Sequence, residues 1–191
     1  SKIRSGDATH TGVIPFYKLF QSAVKSCSQG GVRGGAATLY YPIWHLEIED
    51  MLVLKNNKGT EDNRVRKLDY SIQMSKIFYE RFIQNGDITL FSPHDVPGLY
   101  EAFGTEDFDT LYRMYELNDM TPKTIVKAQD LILDLLKERA ETGRIYIMNL
   151  DHCNSHSSFL DKVEMSNLCQ EITLPTRPLS HIDSTDGEIA L

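Results

Sequence analysis

Along residues 13–150 the apolar pattern changes period repeatedly. Three- and four-residue spacing, the mark of a helix face, gives way to short continuous apolar runs, the mark of buried strands. Strands that alternate with helices of ten or more residues restrict the chain to an α/β fold with largely parallel strands. Val13, Phe16, Tyr17, Phe20, Val24 and Cys27 predict an amphipathic helix over 13–26. A short buried strand follows over 36–41, ended by Pro42, and a helical pattern over 45–54 leads into a polar loop at 55–67. Leu68, Ile72, Tyr79, Phe82 and Ile83 predict a second long helix, and residues 87–91 a strand. A helix is expected over 106–117. The next helix should be capped by Thr121 with Pro122 in its first turn, carry Ile125, Leu131, Leu135 and Leu136 on its apolar face, and stop at Gly143. Residues 144–150 read as a strand, 151–156 as a loop and 175–187 as a long polar loop, while Trp44 and the spaced Tyr and Phe residues belong to the core.

Between the first helix and the first strand lies Ser28-Gln29-Gly30-Gly31-Val32-Arg33-Gly34-Gly35. Its glycines predict a mobile loop without regular helix or strand. It has neither the Gly-Lys-Ser/Thr of a P-loop nor the Gly-x-Gly-x-x-Gly spacing of a dinucleotide fold. Arg33, planar and permanently charged, is a natural phosphate or base contact, although a solvated surface Arg fits the pattern as well.

Near the C-terminus, residues 166–172 place Asn167, Cys169 and Glu171 at alternate positions. In a strand all three would share one face, about 6.5–7 Å apart, with Leu168, Gln170 and Ile172 opposite. A nucleophilic cysteine needs its thiolate, usually favoured by a cation or a helix N-terminus. Cys169 has Glu171 beside it and no Lys, Arg or His within those residues, a setting that disfavours ionisation. A thiol kept protonated suits the exchange of a hydrogen atom better than nucleophilic attack. A buried strand Cys with two incidental polar neighbours remains an open alternative.

The net charge of −7 argues against a nucleic-acid binder that works by neutralising phosphates. Three cysteines, Cys27, Cys153 and Cys169, make no disulfide framework, and a cytoplasmic location is expected. No apolar run has the length of a membrane span. His152, Cys153 and His156 lack a matching second ligand pair, so no metal site is expected. A Cys–His hydrolase built on Cys169 is disfavoured by Glu171. His94 and Asp95 shape a turn.

Several long blocks occur in a fixed order: KSCSQGGVRGGAA at 25–37, FSPHDVPGLY at 91–100, TGRIYI at 142–147, DHCN at 151–154 and SNLC at 166–169. With them the chain closely resembles, over essentially its whole length, the large catalytic subunit of class I ribonucleotide reductase of the bacterial and phage class Ia type. The resemblance implies that residues 1–191 are a partial catalytic barrel domain, part of a ten-stranded α/β barrel, with the Cys169 strand in the finger loop that threads it. It implies that Cys169 becomes the thiyl radical that abstracts the 3′ hydrogen of a ribonucleoside diphosphate. Glu171 would take the 3′-hydroxyl proton and Asn167 would hydrogen-bond the substrate hydroxyls. The Gly-rich segment, with Cys27, Ser28, Gln29 and Arg33, matches the loop linking the specificity effector to the substrate base. Arg4 matches a contact to effector phosphates, and the helix over 13–26 one that packs across a homodimer interface. The implied partners are dNTP and ATP effectors, a small subunit whose metal centre supplies the radical, and thioredoxin or glutaredoxin as reductant. No cofactor is expected to be held by this segment.

The sequence departs from the family pattern as well. The reducing cysteine pair, the ATP cone, the phosphate loops, the relay tyrosines and the swinging-arm cysteines have no counterpart in it, and Cys27 and Cys153 stand at other positions. Both ends read as cut, which leaves a partial or split gene product, or a segment between inteins, as alternatives. The segment by itself is therefore expected to be inactive and to need complementing fragments. A binding module that retains only effector recognition and dimer contacts is the competing reading.

Overall fold

The computed structural model describes residues 2–3, 8–9 and 11–176. Its centre is a three-stranded parallel sheet in the order β5 (Thr38–Pro42), β6 (Asp69–Met74), β9 (Ile145–Asn149). The pairing register aligns Tyr40 with Ser71 and Ser71 with Tyr146. Side chains alternate along each strand, so register partners share a face. One face carries Thr38, Tyr40, Asp69, Ser71, Gln73 and Tyr146, and the other Leu39, Tyr41, Tyr70, Ile72, Met74 and Ile145. Tyr41, Tyr70, Ile72, Met74 and Ile145 are buried in the hydrophobic core. The sheet is thus two-sided, with a greasy back and a polar front.

Helices α2 (Ile48–Leu52), α3 (Lys76–Ile83), α4 (Leu99–Ala102), α5 (Phe108–Leu117) and α6 (Ala128–Thr142) contribute the rest of that core. Its aromatic centre is Phe78, Phe103, Phe108 and Tyr112, joined by ring contacts of 4.7–6.4 Å, with Trp44 against Phe103. Helix α6 ends where Gly143 adopts φ 66°, as its sequence signal predicts. Helix α1 (Ile14–Ser26) also forms as its spacing predicts, but buries no residue fully. It rests Val13, Ile14, Tyr17 and Val24 on the core and leaves Phe16, Leu19 and Phe20 exposed.

Five local expectations are corrected. The predicted long helix from Leu68 divides into strand β6 and helix α3. The four-residue interval from Leu68 to Ile72 imitates a helix face, but the true period is two. The helix expected from Thr121 begins at Ala128, and Thr124–Lys127 forms β8, antiparallel to β7 (Asp87–Leu90). Ile125 and Val126 are β-branched, and the extended neighbour offers them a ladder. The helical pattern over 45–54 keeps only α2, because the backbone of Trp44 and Leu46 bonds Phe91 at 2.8 Å on both sides. The Gly-rich loop contains a small hairpin, β3 (Ser28–Gln29) with β4 (Arg33–Gly34), turned by Gly30 and Gly31 at φ 58° and 70°. The loop at 151–156 is instead helix α7 (Leu150–Ser155).

The remaining strands, β1 (Lys2–Ile3) and β2 (Ala8–Thr9), pair antiparallel. Among the described residues the strands form no closed barrel, and antiparallel pairs stand beside the parallel sheet. The expected polar loop at 175–187 lies largely outside the described residues.

Candidate active site: a thiol turn on the polar face of the sheet

The segment around Cys169 is not a strand. Gln170 N bonds Asn167 O at 3.2 Å, which closes a turn over Leu168 and Cys169, and Gln170 takes φ 61°. The alternation of amide, thiol and carboxylate therefore does not reflect a pleat. The turn is held by its own amide: Asn167 Oδ1 accepts from the backbone N–H of Glu171 at 3.1 Å and of Ile172 at 3.0 Å. The buried Ser166 hydroxyl has two acceptors within reach of its one O–H, Asn167 Oδ1 at 3.2 Å and the Ile172 carbonyl.

The polar face of the sheet fixes the turn from below. From β5, Thr38 Oγ1 donates to Leu168 O and Tyr40 Oη to Asn167 O, both at 2.6 Å. From β6, Ser71 Oγ donates to Gln170 Oε1 at 2.6 Å, and Gln73 Nε2 to Glu164 O at 2.5 Å. Gln170 Nε2 donates to Ile147 O of β9 at 2.8 Å. All three strands thus hold the segment that bears Cys169. Cys169 and Glu171 are exposed, and Asn167 is half-buried.

Electrostatics join these groups. Burial raises the Tyr40 phenol above its usual range; a hydrogen bond with Ser166 opposes this, and Tyr146, Glu171 and Cys169 add to it. The phenol therefore stays protonated and stays a donor to the turn. Thr38, Tyr40, Ser71, Gln170 and Tyr146 were not singled out from the sequence. The available signal was the two-residue alternation of β6, whose Asp69, Ser71 and Gln73 line up opposite Tyr70, Ile72 and Met74.

The residues expected to read an effector lie apart in sequence, beside β5. Cys27 is the exposed residue ending α1, Ser28 and Gln29 form β3, and Arg33 is exposed on β4. Gly35 N bonds Cys27 O at 2.7 Å, and Lys25 Nζ bonds Gly35 O at 2.7 Å, which ties the hairpin to α1. Only three residues separate Gly34 from Thr38, the first anchor of the thiol turn. Arg4 lies outside the described residues.

The other candidates are accounted for locally. His152, Cys153 and His156 fall on or beside α7, with His156 Nδ1 at 3.0 Å from both Ser155 Oγ and His152 O. Burial, helped by Asp151, raises the Cys153 thiol above its usual range. Among the described residues no three His, Cys, Asp or Glu side chains gather as ion ligands. His94 and Asp95 lie in a single 3₁₀ turn, Pro93–Asp95.

The site is thus an exposed thiol on a turn anchored to the polar face of a parallel sheet, in an α/β fold. A family model described as ribonucleotide reductase, barrel domain, matches residues 1–186, and the chain belongs to that family. Within it the chain is similar to bacterial and phage alpha subunits. Ribonucleoside-diphosphate reductase subunit alpha of Haemophilus influenzae is 62% identical over 100% of this chain and 26% of its own length. Ribonucleoside-diphosphate reductase 1 subunit alpha of Escherichia coli is 61% identical over 94% of this chain and 24% of its own length. The enterobacteria phage T4 subunit alpha is 50% identical over 100% of this chain and 26% of its own length. The chain thus spans about a quarter of the length of these relatives.

Proposed function

We propose that this chain is the thiyl-bearing part of a ribonucleoside-diphosphate reductase alpha subunit, and that residues 1–191 are a portion of its catalytic barrel domain. One observation carries the reading: within a family of this chemistry, Cys169 is exposed on a turn anchored to all three strands of the parallel sheet. The small subunit supplies an oxidising equivalent to the Cys169 sulfur. The sulfur radical then takes the 3′ hydrogen atom of the substrate, so an S–H bond forms as the C3′–H bond breaks and the unpaired electron passes to C3′. Glu171, two residues on, accepts the 3′-hydroxyl proton while the 2′-hydroxyl departs as water with a proton from a donor elsewhere in the complete subunit. Asn167 uses its carbonyl oxygen to hold the turn, which leaves its NH2 group to meet a substrate hydroxyl.

In the same reading, Arg4, Cys27, Ser28, Gln29 and Arg33 read a dNTP effector, and the exposed Phe16, Leu19 and Phe20 of α1 support a homodimer contact beside it. Thioredoxin or glutaredoxin supplies reducing equivalents to the complete subunit. No described helix is long and apolar enough to cross a membrane, and the proposed compartment is the cytoplasm. The apolar side of α1 also fits the second reading, an effector-binding and dimer-forming segment without catalysis.

The test is to place this segment in a complete alpha subunit and measure CDP reduction with the small subunit and thioredoxin. Cys169→Ser should abolish turnover, and Glu171→Gln should lower kcat by about 10²–10⁴-fold, as expected for a lost proton acceptor. Full turnover in Cys169→Ser would overturn the radical role. Effector binding retained alongside that result would favour the second reading.

A further inference from the structure

The residue after the radical cysteine adopts an unusual conformation and is held by unusually specific contacts. Gln170 sits at φ 61°, in the left-handed region that non-glycine residues seldom occupy. Its side-chain amide spans the polar face. Oε1 accepts from Ser71 Oγ of β6 at 2.6 Å, and Nε2 donates to the backbone oxygen of Ile147 of β9 at 2.8 Å. Both ends of one amide are thus engaged, by two different strands. On the other side of Cys169, Thr38 and Tyr40 of β5 hold the carbonyls of Leu168 and Asn167. A left-handed residue without an anchor would relax toward the ordinary extended or helical basins. The fold supplies the anchor, and its effect is to fix the direction in which the preceding residue, Cys169, points.

We infer that Gln170, held by Ser71, is a positioning residue for hydrogen-atom transfer at Cys169. This rests on the reading of Cys169 as the radical site. Transfer from C3′ to sulfur requires the reacting atoms at close, aligned approach, and a misplacement of about 1 Å can cost about 10²-fold in rate. The Gln170 amide touches the sheet and the turn, so its action on the reaction passes through the placement of Cys169. The two parts of its role separate by substitution. Gln170→Ala removes the anchor and keeps the backbone demand, Gln170→Gly removes both, and Ser71→Ala removes one hydrogen bond from a residue outside the turn.

The experiment uses a complete alpha subunit carrying this segment, assayed with its small subunit on CDP and on 3′-deuterated CDP. Gln170→Ala and Gln170→Gly should each lower kcat by about 10- to 100-fold, and Ser71→Ala by about 3- to 10-fold, with KM for CDP within about 2-fold of the parent. The 3′-deuterium isotope effect on kcat should rise in all three, because hydrogen abstraction becomes slower relative to the other steps. Ser71→Ala combined with Gln170→Ala should be no slower than Gln170→Ala alone, since both remove one contact. Parent kcat in Gln170→Ala, or a loss of activity that follows folded protein with an unchanged isotope effect, would overturn the positioning role. Cys169→Ser run in parallel separates the two ideas: turnover surviving there defeats the radical site itself, whereas its loss beside an unaffected Gln170→Ala defeats only the positioning.

Discussion

Tyr40 and Asn167, 127 positions apart in the chain, are joined by a hydrogen bond of 2.6 Å from the phenol to the backbone oxygen. It ties the first strand of the parallel sheet to the turn that presents Cys169. A half-buried hydrogen bond of this kind contributes a net ~1 kcal/mol. Tyr40→Phe keeps the ring and removes the donor, so amide exchange at residues 168–172 should quicken by about 5-fold. The phenol's raised pKa, caused first by burial, sets the pH range. The anchor is fully present below the ordinary tyrosine value of about 10 and is lost as pH rises through the higher folded value. Exchange in parent and Tyr40→Phe should therefore converge at strongly alkaline pH. Equal exchange near neutrality would count against the anchor.

Gly35 is required by close approach rather than by backbone angle. A Cβ there would lie 2.1 Å from Val24 O and 3.0 Å from Cys27 O, both main-chain atoms of α1 and its end. Gly35→Ala must push the hairpin away from α1 and lengthen the Gly35 N to Cys27 O bond of 2.7 Å. The hairpin leads within three residues to Thr38, so the displacement should reach the Leu168 anchor. In a complete alpha subunit the expected result is a weakened rate response to dNTP effectors, with a loss of ~1–3 kcal/mol in stability from the overpacking. An unchanged effector response would separate the hairpin from that role.

The contrast between what was and was not legible follows from the range of the forces involved. Helix α1, strand β9 and the Gly143 stop were readable because their signals are local: a spacing, a run of apolar residues, a glycine that tolerates φ 66°. Strand β6 is ambiguous in the sequence because its polar–apolar alternation is short and the four-residue interval from Leu68 to Ile72 fits a helix face as well, while burial of Tyr70 to Met74 on both faces is a tertiary property of a central strand. Thr121 and Pro122 carry the signals of a helix start, but β8 found a partner in β7 before the helix began. The turn at Cys169 was out of reach for a different reason. Three of its anchors, Thr38, Tyr40 and Ser71, lie 99 or more positions from the residues they hold, and nothing near residue 169 encodes them. The candidate residues Asn167, Cys169 and Glu171 were visible as residue types, and their support was not.

His45 should make the fold sensitive to acid. Its Nδ1 lies 2.6 Å from the Tyr41 hydroxyl and accepts from Glu47 N–H at 3.1 Å, which requires an unprotonated Nδ1. Burial lowers its pKa from 6.5 to about 4. The neutral ring is the form the fold selects, so its contribution is full above about 6.5 and is lost as pH falls through about 4. The whole loss amounts to about 3 kcal/mol at most. His45→Asn keeps an acceptor near the Nδ1 position and does not titrate. Its urea midpoint should change less than the parent's between pH 6.5 and 4, and identical slopes would exclude His45 as the source.

The Arg81–Glu116 pair is a largely buried ion pair tied into several elements of the fold. The two terminal guanidinium nitrogens of Arg81, Nη1 and Nη2, meet the Glu116 carboxylate, with the side chains only 15% and 17% exposed. Arg81 also bonds Asp87 O at 3.0 Å and lies 5.0 Å from the centre of the Tyr112 ring. Glu116 also accepts from Thr89 Oγ1 at 2.7 Å. The pair therefore joins α3, α5 and β7 at one point. Removing one partner leaves the other charge largely out of water, and such losses cost about 3–5 kcal/mol. Arg81→Met and Glu116→Gln should each fall toward that range, and Arg81→Lys should not restore stability, because an ammonium cannot make the paired contact. The double variant Arg81→Met with Glu116→Gln should lose clearly less than the sum of the two single losses, since no charge is then left unpaired. Urea unfolding of the four variants measures this directly, and strictly additive losses would mean that the two side chains act independently.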